Sequence, residues 1–107
     1  MVILVQKQLT PIQKVFEDYT WCKNAFARDI NGLGIPAIGI PRNQEQPVSF
    51  SLTGAIHFAY QTDAIPIIYR CRDYLKKHHN HPFTVDEWND KQKDFTLIAK
   101  LIEDLEI

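Results

Sequence analysis

A chain of 107 residues fits one domain and is long enough to bury an apolar core without disulfides or metal. Twelve Lys and Arg against thirteen Asp and Glu leave a formal net charge of −1, which excludes the whole-chain basic field that draws a protein to nucleic acid or an anionic membrane. Two cysteines, Cys22 and Cys71, follow neither a metal nor a redox spacing.

Met1-Val2-Ile3-Leu4-Val5 is followed by Gln6-Lys7, without the leading basic region or the small-residue cleavage site of a secretory signal. No stretch approaches membrane-spanning length. The expectation is a cytoplasmic protein without membrane contact. Residues 1–9 read as an apolar extension or arm, pairing as a strand with residues 25–28 or packing on a second copy of the chain. A single helical domain follows over residues 10–107.

Thr10-Pro11-Ile12-Gln13 combines a hydroxyl cap, a proline at the first helical position and a glutamine three after the cap. Ile12, Val15, Phe16 and Tyr19 then recur on one helical face, while Trp21 falls on the other, so the helix should end near Thr20. Residues 25–29 suggest a short extended piece before the turn Asn31-Gly32. Residues 32–46 form a long loop with Gly34-Ile35-Pro36 and Gly39-Ile40-Pro41, whose prolines favour extended backbone. Leu33, Ile35, Ile38 and Ile40 make it a strap over the core; a lid or partner-binding loop is the functional alternative.

A second helix is expected from residue 47 to about 60. Val48, Leu52, Ala55, Ile56 and Ala59 form one apolar stripe, and Phe50, Gly54 and Phe58 another, as in a buried central helix. Gly54 costs such a helix about 1 kcal/mol relative to alanine, which calls for close approach by a neighbour. A third helix starts after Asp63 and runs to about His79, with Ile65, Ile68, Cys71, Tyr74 and Leu75 inward. Thr84-Val85-Asp86-Glu87 caps a short helical turn carrying Trp88-Asn89-Asp90. The last helix begins near Asp94, with Phe95, Ile98, Leu101, Ile102 and Leu105 inside. The fold class is therefore mainly α: a compact single-domain bundle of about four helices, with a long Pro/Gly loop and room for a small β-hairpin.

Three of these segments carry a resemblance. Trp21 with residues 25–29 and Gly32, then Gly54-Ala55-Ile56, then Trp88-Asn89-Asp90, together resemble the DUF6197 family of small bacterial proteins of unknown function. The likeness covers roughly residues 10–105 and implies a compact helical domain with no established activity. Two positions depart from the family pattern. Thr20 stands where the family has glycine before its first tryptophan, and Ser51 where it often has cysteine, so no thiol chemistry is shared there.

Candidate chemistry is sparse. Cys22 is a nucleophile only with a histidine such as His57 within hydrogen-bond reach, and it follows a helix instead of starting one, so no helix dipole lowers its pKa. Read without function, it is a small hydrophobe beneath Trp21. His78-His79-Asn80-His81 is metal-like but lacks a second ligand pair, so no metal is assigned, and no motif for a cofactor is present. Arg70, Arg72, Lys76 and Lys77 read as a solvated helix face, making nucleic acid an unexpected partner. Arg28, Asp29 and Asp90 remain, each near a tryptophan. The expectation is that Arg28 pairs with Asp29 or Asp90 while Trp21 and Trp88 pack nearby, either locking the scaffold or forming a pocket. The function expected is a small regulatory domain that binds another protein, or itself as a homo-oligomer, without catalysis. The alternative is a small cysteine-dependent hydrolase or transferase using Cys22.

Overall fold

The capping residues read from the sequence place the helices. Residues 8–35, 46–81 and 84–107 are described by the computed structural model. Helix α1 (Pro11–Asp18) opens on a full capping box: Gln13 N–H donates to Thr10 Oγ1 at 3.4 Å, and Thr10 N–H donates to Gln13 Oε1 at 3.0 Å. Pro11 has no N–H to satisfy, and Ile12 N–H donates to the main-chain oxygen of Ile107 at 2.9 Å, so the start of α1 leaves no orphan donor. Ile12 and Val15 are buried, with Phe16 and Tyr19 packed on the core beside them.

Strand β1 (Thr20–Trp21) follows directly, then β2 (Ala27–Arg28), β3 (Gly34–Ile35) and β4 (Ser49–Phe50). The sheet order is β1-β4-β2-β3, with β1 parallel to β4 and the other neighbours antiparallel. β2 and β3 form the hairpin around Asn31-Gly32, with Gly32 at φ 80°, a conformation that favours glycine. The sheet is larger than a hairpin because residues 48–51 are extended, where a helix was expected. β4 lies between β1 and β2: Val48 N–H reaches Arg28 O at 2.8 Å, Thr20 N–H reaches Val48 O at 3.1 Å, and Ser51 N–H reaches Phe26 O at 3.0 Å. Val48 and Phe50 fit a pleated strand as well as a helix, and the waiting ladder partners decide between them.

Helix α2 (Leu52–Tyr60) therefore starts five residues later than residue 47, with Ser51 as its cap. It packs against α1, α3 and α4 and is the central helix, burying Leu52, Gly54, Ala55 and Ile56. A 3-10 turn (Gln61–Asp63) leads into α3 (Ala64–His79), closed by Asn80 in the left-handed region. α3 turns Ala64, Cys71 and Leu75 inward, while Ile65, expected in the core, is exposed. Helix α4 (Val85–Lys91) is capped by Thr84, whose hydroxyl accepts Glu87 N–H at 3.2 Å. Helix α5 (Thr96–Leu105) buries Ile98, Leu101 and Ile102.

The fold is mainly α: four helices of eight residues or more and one of seven surround one apolar cluster among the described residues. No helix among them is long and apolar enough to cross a membrane. Most of the expected arm over residues 1–9, and Ile38 and Ile40 of the strap, lie outside the described residues. Of the strap's other apolar residues, Ile35 packs on the core and Leu33 stands in solvent.

Two links tie α3 to α5. Arg70 donates to Leu105 O at 2.7 Å, filling a C-terminal carbonyl of α5, and Tyr74 OH donates to Asp104 Oδ2 at 2.6 Å. Arg70 belongs to the helix face read as basic, and here it serves the fold.

Gly54 has the close neighbour that its cost required. A Cβ built there would lie 2.1 Å from Phe26 O, a backbone atom that cannot swing away. Gly54→Ala gains about 1 kcal/mol of helix propensity but forces the strand and helix apart, so a net loss of about 2 kcal/mol is expected in urea unfolding.

The Asp104 hydrogen bond, then burial and the carboxylate charge, push the Tyr74 hydroxyl up to about 12. The unfolded chain releases that proton near pH 10. The link therefore contributes fully below about pH 10 and is lost as pH rises toward about 12. Tyrosinate absorbance should show a late-titrating group that Tyr74→Phe removes, with a shallower alkaline loss of urea stability in the variant.

Candidate functional site

Of the residues singled out in the sequence, Trp21, Cys22 and Asp90 meet at the side chain of Asn89. It sits on the inward face of α4, one residue beyond Trp88, and is fully buried. Its Oδ1 accepts the Trp21 indole N–H at 2.7 Å and the Leu52 N–H at 3.0 Å. Its Nδ2 donates to Cys22 O at 3.2 Å and to Asp90 Oδ1 at 3.1 Å. Leu52 N–H is one of the orphan donors at the start of α2, so a side chain from α4 supplies the end of another helix. A single carboxamide thus connects β1, the segment after it, α2 and α4.

Asp90 extends the connection outward, accepting Asn24 N–H at 2.8 Å, where Asn24 takes a left-handed φ of 61°. Lys23 Nζ donates to Gln92 O at 2.9 Å, and Gln92 Nε2 donates to Trp88 O at 2.9 Å. The residues between β1 and β2 are therefore held to α4 through polar atoms, and Trp88 is buried within the core.

The Arg28 guanidinium reaches main-chain oxygens, donating to Gly32 O at 2.8 Å and to Lys23 O at 3.0 Å. Both targets are carbonyls, one in the β2–β3 turn and one after β1, and a planar fork of donors can reach both. Asp29 works locally: its Oδ1 accepts Asn31 N–H at 2.9 Å and Leu33 N–H at 3.0 Å, an Asx arrangement that shapes the turn. Arg28 and Asp29 thus brace one turn from two sides. Trp21 and Asp90 meet through Asn89, to which the sequence alone assigned no role. A signal was present: a polar residue beside Trp88 and four after Val85 lies on the buried face of a short helix.

Cys22 is buried, and its thiol donates weakly to Ala25 O at 3.9 Å. Burial pushes its pKa up, and this outweighs the downward pull of a hydrogen bond from Ser49 and of the Arg28 charge; the Asp90 charge raises it further. His57 lies on α2 with its ring 5.7 Å from that of Phe26, and no histidine is hydrogen-bonded to Cys22 among the described residues. Cys71 is sealed in the core, and burial raises its thiol to about 12. His81 is also buried, its Nε2 3.0 Å from Thr84 O. No group of three or more His, Cys, Asp or Glu placed to hold a metal ion occurs among the described residues.

On the other side of Trp21 the surface is open. Phe16, Tyr19, Trp21 and Phe95, with Glu17, Asp18 and Thr20, line a depression of about 330 Å³. A second, of about 230 Å³, shares Phe16 and Phe95 and adds Gln13, Ala99, Ile102 and Glu103. The two rings common to both have centroids 4.7 Å apart. Because its N–H is donated to Asn89, the Trp21 indole is fixed where it borders the first depression.

Compared with known proteins, the chain matches no family model, no curated protein and no solved structure.

Removing the carboxamide tests its weight. Asn89→Ala leaves the Trp21 indole, Leu52 N–H and Cys22 O without their partner, and the expected loss is at least about 3 kcal/mol in urea unfolding. Asp90→Ala, at a partly exposed position, should cost about 1 kcal/mol in the same measurement.

Proposed function

We propose that the protein is a small cytoplasmic domain that acts by binding another protein, without catalysis, and that it belongs with the DUF6197 family it resembles. The observation that carries the binding reading is the β2–β3 turn. Ile30 is 84 % exposed and Leu33 59 % exposed at its tip. Single apolar residues on a surface are ordinary. These two differ because the turn beneath them is braced from both sides by Arg28 and Asp29. A rigid turn presenting apolar side chains has already lost the loop entropy that binding would otherwise cost. Val48, whose N–H bonds to the main chain of Arg28, is exposed as well. In this reading the contact falls to the apolar tip that Arg28 and Asp29 hold in place. The raised thiol of Cys22 and its bond to a backbone carbonyl favour a packing role over nucleophilic attack.

The test is a paired capture experiment. Ile30→Ser with Leu33→Ser alters two solvent-facing side chains, so stability should change by less than about 0.5 kcal/mol. A partner crosslinked to the wild type in native cells should be lost with this double variant. Retention of that partner at equal yield rejects the turn as the contact. Sedimentation of the purified protein over a concentration series separates a foreign partner from a second copy of the chain.

A further inference from the structure

We propose that Asn31 is a modification site, at which the Gly32 main-chain nitrogen displaces the side-chain amide, and that the β2–β3 turn sets the rate by holding that nitrogen. The inference goes beyond the contact read at the same turn and does not depend on it.

Three observations carry it. The first is the order of residues: of the five asparagines in the chain, only Asn31 precedes a glycine. Glycine has no side chain to screen its own nitrogen, so that nitrogen approaches the preceding carboxamide with the least hindrance. The second is exposure. Asn31 and Gly32 are both exposed, and a Cβ built on Gly32 would meet nothing within 4 Å. The Asn31 side chain makes no hydrogen bond among the described residues, so its carboxamide has no partner to give up before reacting.

The third is the state of the attacking group. Gly32 N–H donates to Asp29 O at 3.0 Å, so the proton that must leave is held in a hydrogen bond. The same turn is closed by Asp29 N–H to Leu33 O at 3.0 Å and by Asn31 N–H and Leu33 N–H to Asp29 Oδ1 at 2.9 and 3.0 Å. Arg28 adds a bond to Gly32 O at 2.8 Å. The closed turn withholds the nucleophile, and the reaction runs from its locally opened state.

The chemistry needs only water besides the chain. A bond forms between Gly32 N and Asn31 Cγ, the Cγ–Nδ2 bond breaks, and ammonia leaves with the proton from Gly32. Water then opens the cyclic imide. Addition at Cγ breaks the new bond and gives aspartate. Addition at the Asn31 main-chain carbonyl carbon breaks the original peptide bond and gives isoaspartate, whose main chain runs through Cβ and Cγ. Gly32 N recovers a proton from water in both cases. Either product places a carboxylate between Ile30 and Leu33, and isoaspartate also lengthens the main chain by one carbon. The modified fraction thus grows with the time the turn spends open.

The test is incubation of the whole protein at neutral pH, with peptide mapping by mass spectrometry to find the amide-to-acid conversion and separate the two isomers. In urea, Asn31 is expected to convert ahead of the other four asparagines. In the folded protein it should still convert first, but at least about tenfold more slowly, as the need to break a hydrogen bond beforehand implies. Asp29→Ala removes the Oδ1 acceptor and should speed conversion at least about threefold. On the wild type, which needs no variant to fold, hydrogen exchange at the Gly32 amide should rise in parallel with conversion as urea is raised below the unfolding transition. Ile30→Ser with Leu33→Ser should convert at the wild-type rate, so a failed contact at the turn and a failed modification site are separable. A folded protein that converts elsewhere first, or nowhere, overturns the site. Equal rates with and without urea, or conversion that does not follow Gly32 exchange, overturn control by the turn.

Discussion

The hydrogen bonds of one buried carboxamide organise this fold. Asn89 offers one oxygen and one NH₂ group, and each is used twice, toward β1, α2, the main chain after β1 and Asp90. A buried amide is costly unless satisfied, and a satisfied one tolerates few alternative arrangements. The strands here are two residues long and cannot fix their own register against slippage. The carboxamide holds the end of β1 against the start of α2, and through it the parallel pairing of β1 with β4 is set.

The same economy recurs at the helix ends. α1 receives its missing acceptor from Ile107, α2 from Asn89, and α5 its missing donor from Arg70. Short helices gain little from propensity alone and depend on such partners and on packing. Ile107 shows how tightly the ends are joined: it is fully buried, and its main-chain oxygen accepts from both Ile12 and the Tyr60 hydroxyl. Polar atoms thus work inside the scaffold, joining the helix ends to other elements.

Much of this was legible in the chain. The capping box at Thr10 and the hydroxyl cap at Thr84 announce their helices, because a hydroxyl and the N–H three residues on are local partners. The inner faces of α1 and α5 follow from helical spacing, and the conflict of a glycine at position 54 inside a helix foretold a backbone pressed against it. Residues 48–50 were not legible. Val48, Ser49 and Phe50 satisfy either period, and their strand exists only because β1 and β2 present ladder groups on both sides. The acceptors of Arg28 were not legible for a related reason: sequence does not show that the carbonyls of Lys23 and Gly32 come within its reach.

The sequence by itself determined where helices begin, which faces are apolar and that Trp21, residues 25–29 and residues 88–90 are special. Tertiary structure alone decided that Asn89 joins Trp21 to Asp90, that the sheet has four strands among the described residues and that Phe16 meets Phe95. The division follows the range of the forces. Caps and helical periodicity act within about four residues and are written into the local order of side chains. A hydrogen bond between Trp21 and Asn89 spans 68 positions, and its partner is chosen only when the packed core brings the two together.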